Sequence, residues 1–161
     1  MKNFLLKTGL TLTFLTILTC NIGCSKDDSA VDTEKEMTTD IANDILKLVN
    51  EHRLSIGKQI LETNVLAEDL AEEHNIFMIS QGNIGHENFD SRAKQLFDEE
   101  NAKSVGENVA FKQVSAQQVM TAWLNSDDHR KNIEGNFSHI GVSVVKSKSG
   151  TYYFTQLFFK K

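Results

Sequence analysis

Apolar positions change their rhythm along this chain. Ile41, Ile45, Leu48 and Val49 recur every three to four residues, which predicts a helix started by Thr39 or Asp40 and ended by Gly57. Asn64 is placed to cap a second helix, whose apolar line through Leu66, Leu70, Phe77 and Met78 stops at Gly82. A shorter helix is predicted from Arg92 to Glu100. Ser115 is placed to cap another, which carries Val119, Met120 and Trp123 on one side. From His139 onward the period falls to two. Ile140, Val142 and Val144 alternate with His139, Gly141 and Ser143, as in a strand with one buried face. Lys146 to Gly150 reads as a turn, and the aromatic stretch Thr151 to Phe159 as the hairpin partner. Helices first and strands afterwards, with no repeats and no prolines, predict an α+β domain whose helices cover a small antiparallel sheet.

The start of the chain follows neither rhythm. Met1-Lys2-Asn3 is a short positive start, and Phe4 to Leu18 is largely apolar but broken by Lys7. The stretch after Lys7 is too short to span a bilayer comfortably, so it reads as a secretory signal. Asn21-Ile22-Gly23-Cys24 then resembles a bacterial lipobox, with Asn21 where Leu is usual and Cys20 as a rival acceptor. Acylation of Cys24 would tie the protein to a membrane through its N-terminal lipid, each buried methylene adding about 0.8 kcal/mol. A plain cleaved signal is the blander reading. Ser25 to Lys35 is polar and acidic and reads as a solvated tether. Ser25-Lys26-Asp27-Asp28 resembles the acidic export tag of surface lipoproteins. The expected organisation is therefore a signal peptide over 1–23, an acylated Cys24 and flexible tether over 24–38, and one folded domain over 39–161. The expected location is the cell envelope, as an outer-membrane or cell-surface lipoprotein.

Composition removes several function classes. The 161 residues are 40% hydrophobic, with 17 Lys+Arg and 22 Asp+Glu, an ordinary globular balance. Lys2 and Lys7 are the only charges before Ser25, so the remainder is more acidic than the whole. Such a chain lacks the clustered basic residues that phosphate binding needs, and nucleic acid is not an expected partner. Both cysteines, Cys20 and Cys24, lie in the leader region. The domain therefore has no disulfide framework, no Cys nucleophile and no thiolate zinc site. Any metal ligand there must be His, Asp or Glu.

All five histidines fall within the domain: His52, His74, His86, His129 and His139. His86-Glu87 opens like a zincin helix, but the second His of that motif does not follow. Ser126, Asp127, Asp128 and His129 hold the residue types of a serine hydrolase. They are crowded into one run without a Gly-x-Ser-x-Gly elbow, and a Ser cap followed by acids in a first helical turn explains them better. A long-range set remains: His86 in a loop, Glu107 in Val105-Gly106-Glu107-Asn108-Val109-Ala110, and His139 at a strand start. Two imidazoles and a carboxylate can make an open metal site with His86 and His139 as ligands, or a general acid/base pair near neutral pH.

Five blocks in order carry a family resemblance: Val49-Asn50-Glu51-His52-Arg53, Gly85-His86, Gly106-Glu107-Asn108-Val109-Ala110, Trp123-Leu124-Asn125-Ser126 with His129-Arg130 and Asn132-Ile133, and Ser138-His139-Ile140-Gly141-Val142. Together they resemble the CAP superfamily of cysteine-rich secretory proteins, venom antigens and plant pathogenesis-related proteins. The resemblance implies a three-layer α-β-α sandwich with a central cleft lined by two His and two Glu, sometimes around a divalent metal. Carried over by position, His86 is the first His, Glu107 the first Glu and His139 the second His. Ser126 stands where the second Glu would be, and His129 belongs at the cleft rim.

Two functions follow. One is a surface binding module with no required cofactor, presenting the cleft to a lipid, glycan or protein ligand. The alternative is a hydrolase using a divalent ion, zinc or magnesium, between His86 and His139, with Glu107 as general base. Blander roles stand beside them. His86 and His139 can tie down loops, and Glu107 can cap a helix. His74 reads as a satisfied core-edge histidine, His52 as favourable charge at a helix C-terminus, and Trp123 as core.

Overall fold

The computed structural model describes the backbone over residues 28–161 and side chains from residue 34 on. The signal segment, Cys20, Cys24 and the export tag up to Asp27 lie outside the described residues. Nine elements follow: α1 (Asp28–Ser55), β1 (Glu62–Thr63), α2 (Val65–Gln81), α3 (Phe89–Glu100), β2 (Ser104–Phe111), α4 (Ala116–Leu124), α5 (Asp127–Ile133), β3 (His139–Lys146) and β4 (Tyr152–Lys160). Among the described residues no helix is long and apolar enough to cross a membrane.

Local chemistry explains most boundaries. The Asn64 side chain accepts the Ala67 N–H at 2.9 Å, and Gly82 closes α2 in the left-handed conformation. Ser115 accepts the Gln118 N–H at the start of α4. Three expectations change. Helix α1 begins at Asp28, so Thr39 and Asp40 do not start it and part of the segment assigned to the tether is helical. Inside that helix the Thr38 and Thr39 hydroxyls donate to the Lys35 carbonyl, a local bond that replaces capping. Helix α3 starts three residues before Arg92, from Asn88 in the left-handed region. Strand β2 had no counterpart in the periodicity, because its centre carries Glu107 and Asn108, both buried.

The sheet order is β1-β3-β4-β2. β2, β4 and β3 are antiparallel as expected, but the two-residue β1 adds to β3 in parallel, so the sheet is mixed. Helices lie on both faces. Ile45 and Val49 of α1, Val119 and Trp123 of α4 and Ile133 of α5 pack on Ile140, Phe154 and Phe158. On the other face Ala67, Leu70 and Ala71 of α2 and Leu96 of α3 pack on Leu157 and Phe159. At Gly141 the approach is extreme: a Cβ there would lie 2.1 Å from the Ala67 carbonyl carbon. Only glycine lets the α2 backbone lie this close to β3.

Polar groups also hold the layers in register. Asn75 of α2 donates to the Ser143 carbonyl at 3.0 Å and accepts from Thr155 Oγ1 at 2.7 Å. Asn108 of β2 donates to the His129 carbonyl at 3.0 Å and to Gln156 Oε1 at 3.1 Å. Asn132 donates to the Asn108 side chain at 2.9 Å and to the Glu107 carbonyl at 3.0 Å. Buried amides satisfied this way fix α5 against β2, because a slip would strand their donors away from water.

Candidate functional site

Strand β2 is an edge of the sheet, and its two faces send different residues into different layers. Val105 and Val109 pack with the α2–α3 layer, and Ala110 with the opposite one. Glu107 shares the face of Val105 and Val109, so its side chain enters beneath α3 and the loop before it.

There the carboxylate is enclosed, with 2% of its side chain exposed. Arg92 of α3 meets it with a fork: Nε donates to Oε2 at 2.8 Å and Nη2 to Oε1 at 2.9 Å. The third guanidinium nitrogen, Nη1, donates to the Glu87 carbonyl at 2.9 Å, which fastens the loop carrying His86. His86 Nδ1 lies 2.8 Å from Glu107 Oε1. An ionised carboxylate only accepts, so Nδ1 carries the proton of this bond, and Nε2 has no hydrogen-bond partner among the described residues. His86 remains half exposed, at 53%.

Two further histidines bracket this pair. His74 of α2 is buried, its Nε2 2.8 Å from the Gly85 carbonyl and 3.8 Å from Glu107 Oε1. Burial holds its imidazole below the ordinary value, although the Glu107 charge pulls the other way. Its Nδ1 has no partner among the described residues, so there His74 is a buried histidine satisfied on one side only. His129 of α5 is half-buried, with Nδ1 2.8 Å from Ser126 Oγ. Burial first, and then the charge of His86, hold His129 below its ordinary value. The Ser126 hydroxyl therefore pairs with His129 and does not cap α5, as the sequence had suggested.

His139 is elsewhere. It sits at the start of β3, two strands from β2, a separation of roughly 10 Å across the sheet. Its ring stacks on Phe159 at 4.9 Å between centroids, its Nδ1 lies 2.8 Å from Ser138 Oγ, and Glu62 is 3.7 Å from Nε2. The buried side chains of Leu157, Phe159 and Leu96 fill the intervening face. The expected meeting of His86, Glu107 and His139 does not occur, because β4 lies between the strands that carry the last two.

That separation decides the metal question for this donor set. A divalent ion needs several ligands that converge on one point, each with a lone pair to give. Both Glu107 oxygens already serve a guanidinium, itself a cation, and His139 cannot reach them. Among the described residues no group of three His, Cys, Asp or Glu stands close enough to hold a metal ion. The residues do not fit the expected ion.

What the cluster does present is a shallow cavity of about 270 Å³ lined by His86, Phe89, Val105, Gly106, Glu107 and Asn132. Gly106 matters here, since a Cβ would lie 2.9 Å from Asn132 Oδ1 and 3.0 Å from Phe137. The sequence reading missed Arg92 and the role of Asn132. Arg92 lies four residues before Leu96 and next to Ala93, on the buried side of α3, and a charge on that side needs a partner. The blander readings of other residues resolve as well. His52 Nε2 is 2.9 Å from Glu134, and Trp123 is core with its Nε1 donating to the Val109 carbonyl.

Comparison with known proteins agrees with this architecture. The sequence model of the CAP family, the cysteine-rich secretory protein family, matches residues 46–158. The chain belongs to this family. An uncharacterized protein YkwD of Bacillus subtilis is 52% identical over 48 residues, which are 29% of this chain and 19% of that protein. An uncharacterized membrane protein YlbC of the same organism is 28% identical over 131 residues, 79% of this chain and 36% of that one. The CAP chain thus spans well under half of the length of either relative. Among solved structures, an extracellular protein containing an SCP domain from Bacillus anthracis superposes with a TM-score of 0.70 at 25% identity, over 81% of this chain and 43% of that one. An outer surface protein from Borrelia burgdorferi gives 0.67 at 23% identity, over 81% and 96%. The three-layer α+β fold is therefore that of the CAP family.

Proposed function

We propose that this CAP domain is a binding module of the cell surface, held to the envelope by a lipid on Cys24, which presents the His86 cleft to a lipid, glycan or protein ligand. The observation that carries this reading is the enclosure of Glu107. A carboxylate 2% exposed and gripped by Arg92 and His86 is shut away from water and held by a cation, which suits it to fixing the His86 ring and not to drawing a proton from a water molecule. The second ring nitrogen of His86, the side-chain oxygen of Asn132 and the ring of Phe89 then offer two polar groups and an apolar face in one small hollow. An outer surface protein and an extracellular protein share the fold, in keeping with an envelope location.

The test is retention of labelled envelope lipids and glycan fragments by the full-length chain. Wild type is expected to retain one class and His86→Ala to lose it with its fold unchanged. Equal retention by both proteins would sink the cleft as the binding site. The anchor is checked separately: Cys24→Ser should move the protein from the membrane to the soluble fraction.

A further inference from the structure

The polarity of strand β3 draws attention to a surface away from the cleft. Asn64 N–H donates to the Ile140 carbonyl at 3.1 Å, and Glu62 N–H to the Ser138 carbonyl at 3.0 Å. Even-numbered residues of β3 therefore direct their N–H and C=O groups away from β4, towards β1. β1 stops at Thr63, because Asn64 turns the chain into α2. Beyond that point the outward groups of Val142 and Val144 have no strand beside them among the described residues, and no described backbone hydrogen bond reaches them.

Proteins usually guard such an edge with proline, a bulge or projecting lysines. Here the chain has no proline, and β3 pairs with β4 in unbroken register from His139 to Lys146. Its one lysine, Lys146, is turned to Glu34 at 3.3 Å and lies over the Tyr152 ring. The edge is instead the floor of a groove of about 220 Å³ walled by two helices. Thr38, Thr39 and Ala42 of α1 form one wall, and Glu68, Asp69 and Glu72 of α2 the other. The close contact of Gly141 with Ala67 shuts one end, so the groove opens from Val142 onward.

We propose that this groove is a second binding surface, which takes an extended peptide with basic side chains as an added strand beside β3. Val142 and Val144 supply the backbone ladder, which is indifferent to sequence. Alternate side chains of an added strand point to opposite walls, so one set meets the three acids of α2 and the other meets Ala42 and the threonines of α1. The single Lys35 at the α1 wall leaves the groove net negative. The Glu68 carboxyl is pushed up by burial and then by the charge of Asp69, a strain that an incoming ammonium or guanidinium relieves.

The experiment uses the full-length chain, labelled for NMR in detergent micelles, and a pentapeptide of alternating lysine and valine with blocked ends. Hydrogen exchange at the Val142 and Val144 amides should slow on binding, and E68Q/D69N/E72Q should weaken binding by about tenfold or more. The same peptide N-methylated on the amides that would pair should not bind to wild type. Equal binding of the N-methylated peptide, unchanged exchange at Val142 and Val144, or shifts centred on His86 and Phe89 would each overturn the proposal. None of these outcomes bears on retention of envelope ligands by the cleft.

Discussion

His86 and His139 are the same residue type, both at the margin of the sheet, and their surroundings have almost nothing in common. His86 hangs on a loop, half in solvent, with one nitrogen on a buried carboxylate and the other without a partner among the described residues. His139 is set in a strand, largely covered, flat against Phe159 and bonded to its neighbour Ser138. The first ring is oriented by charge and open to a ligand, while the second is part of the wall. The difference teaches that a histidine becomes available for recognition by what holds its other nitrogen. Glu107 performs that service for His86 only because Arg92 holds Glu107.

The sharpest way to break the comparison is to remove Arg92. Arg92→Met leaves the enclosed Glu107 without its fork, which should cost about 3–5 kcal/mol of stability in urea unfolding. Glu62→Gln, beside His139 but 77% exposed, should change it by less than about 0.5 kcal/mol. Equal effects would mean that the Glu107 cluster is no better built than a surface pair. Gly141→Ala comes next, because it pushes α2 off β3. A loss of at least about 1–3 kcal/mol is expected for such overpacking, and a neutral result would contradict the close approach at Ala67.

The two histidines can then be exchanged for alanine. His139→Ala removes the stack on Phe159, worth about 0.5–1.5 kcal/mol beyond buried area, and should leave ligand retention by the cleft intact. His86→Ala should do the reverse, with a small change in melting temperature and retention abolished. The smallest effect is on pH. His74 and His129 are both held below their ordinary value in the folded protein, so the unfolded chain binds their protons more readily. Stability is then full above about pH 6.5 and falls as the pH drops from there towards the lower folded values. His74→Gln should flatten that slope in denaturation measured between about pH 7 and pH 5, whereas His139→Ala should leave it as it was.

Much of this fold could be read along the chain, where the signals are local. Asn64 and Gly82 bracket α2 because a side-chain acceptor and a left-handed glycine act within one turn. The alternation through Ile140, Val142 and Val144 marks β3 because each strand face meets one environment. Strand β2 escaped for the opposite reason. Glu107 and Asn108 look like loop residues until Arg92, Asn132 and Gln156 arrive to satisfy them, and those partners come from three other elements. The same distance rule divides the candidate site: Glu107, His86, Ser126 and His129 gather at one edge, and His139 does not.

By itself the amino-acid sequence determined the family, the helix caps, the hairpin and the short list of titratable side chains, since each depends on neighbours a few residues apart or on an ordered set of blocks. The tertiary structure alone decided which of those side chains meet. Strand order is a property of pairing between distant segments, and here it inserts β4 between the glutamate and the second expected imidazole. It also brings Arg92, read along the chain only as a helix start, to the glutamate's two oxygens. A buried charge must find its opposite wherever the chain supplies it, and no local pattern records where that is.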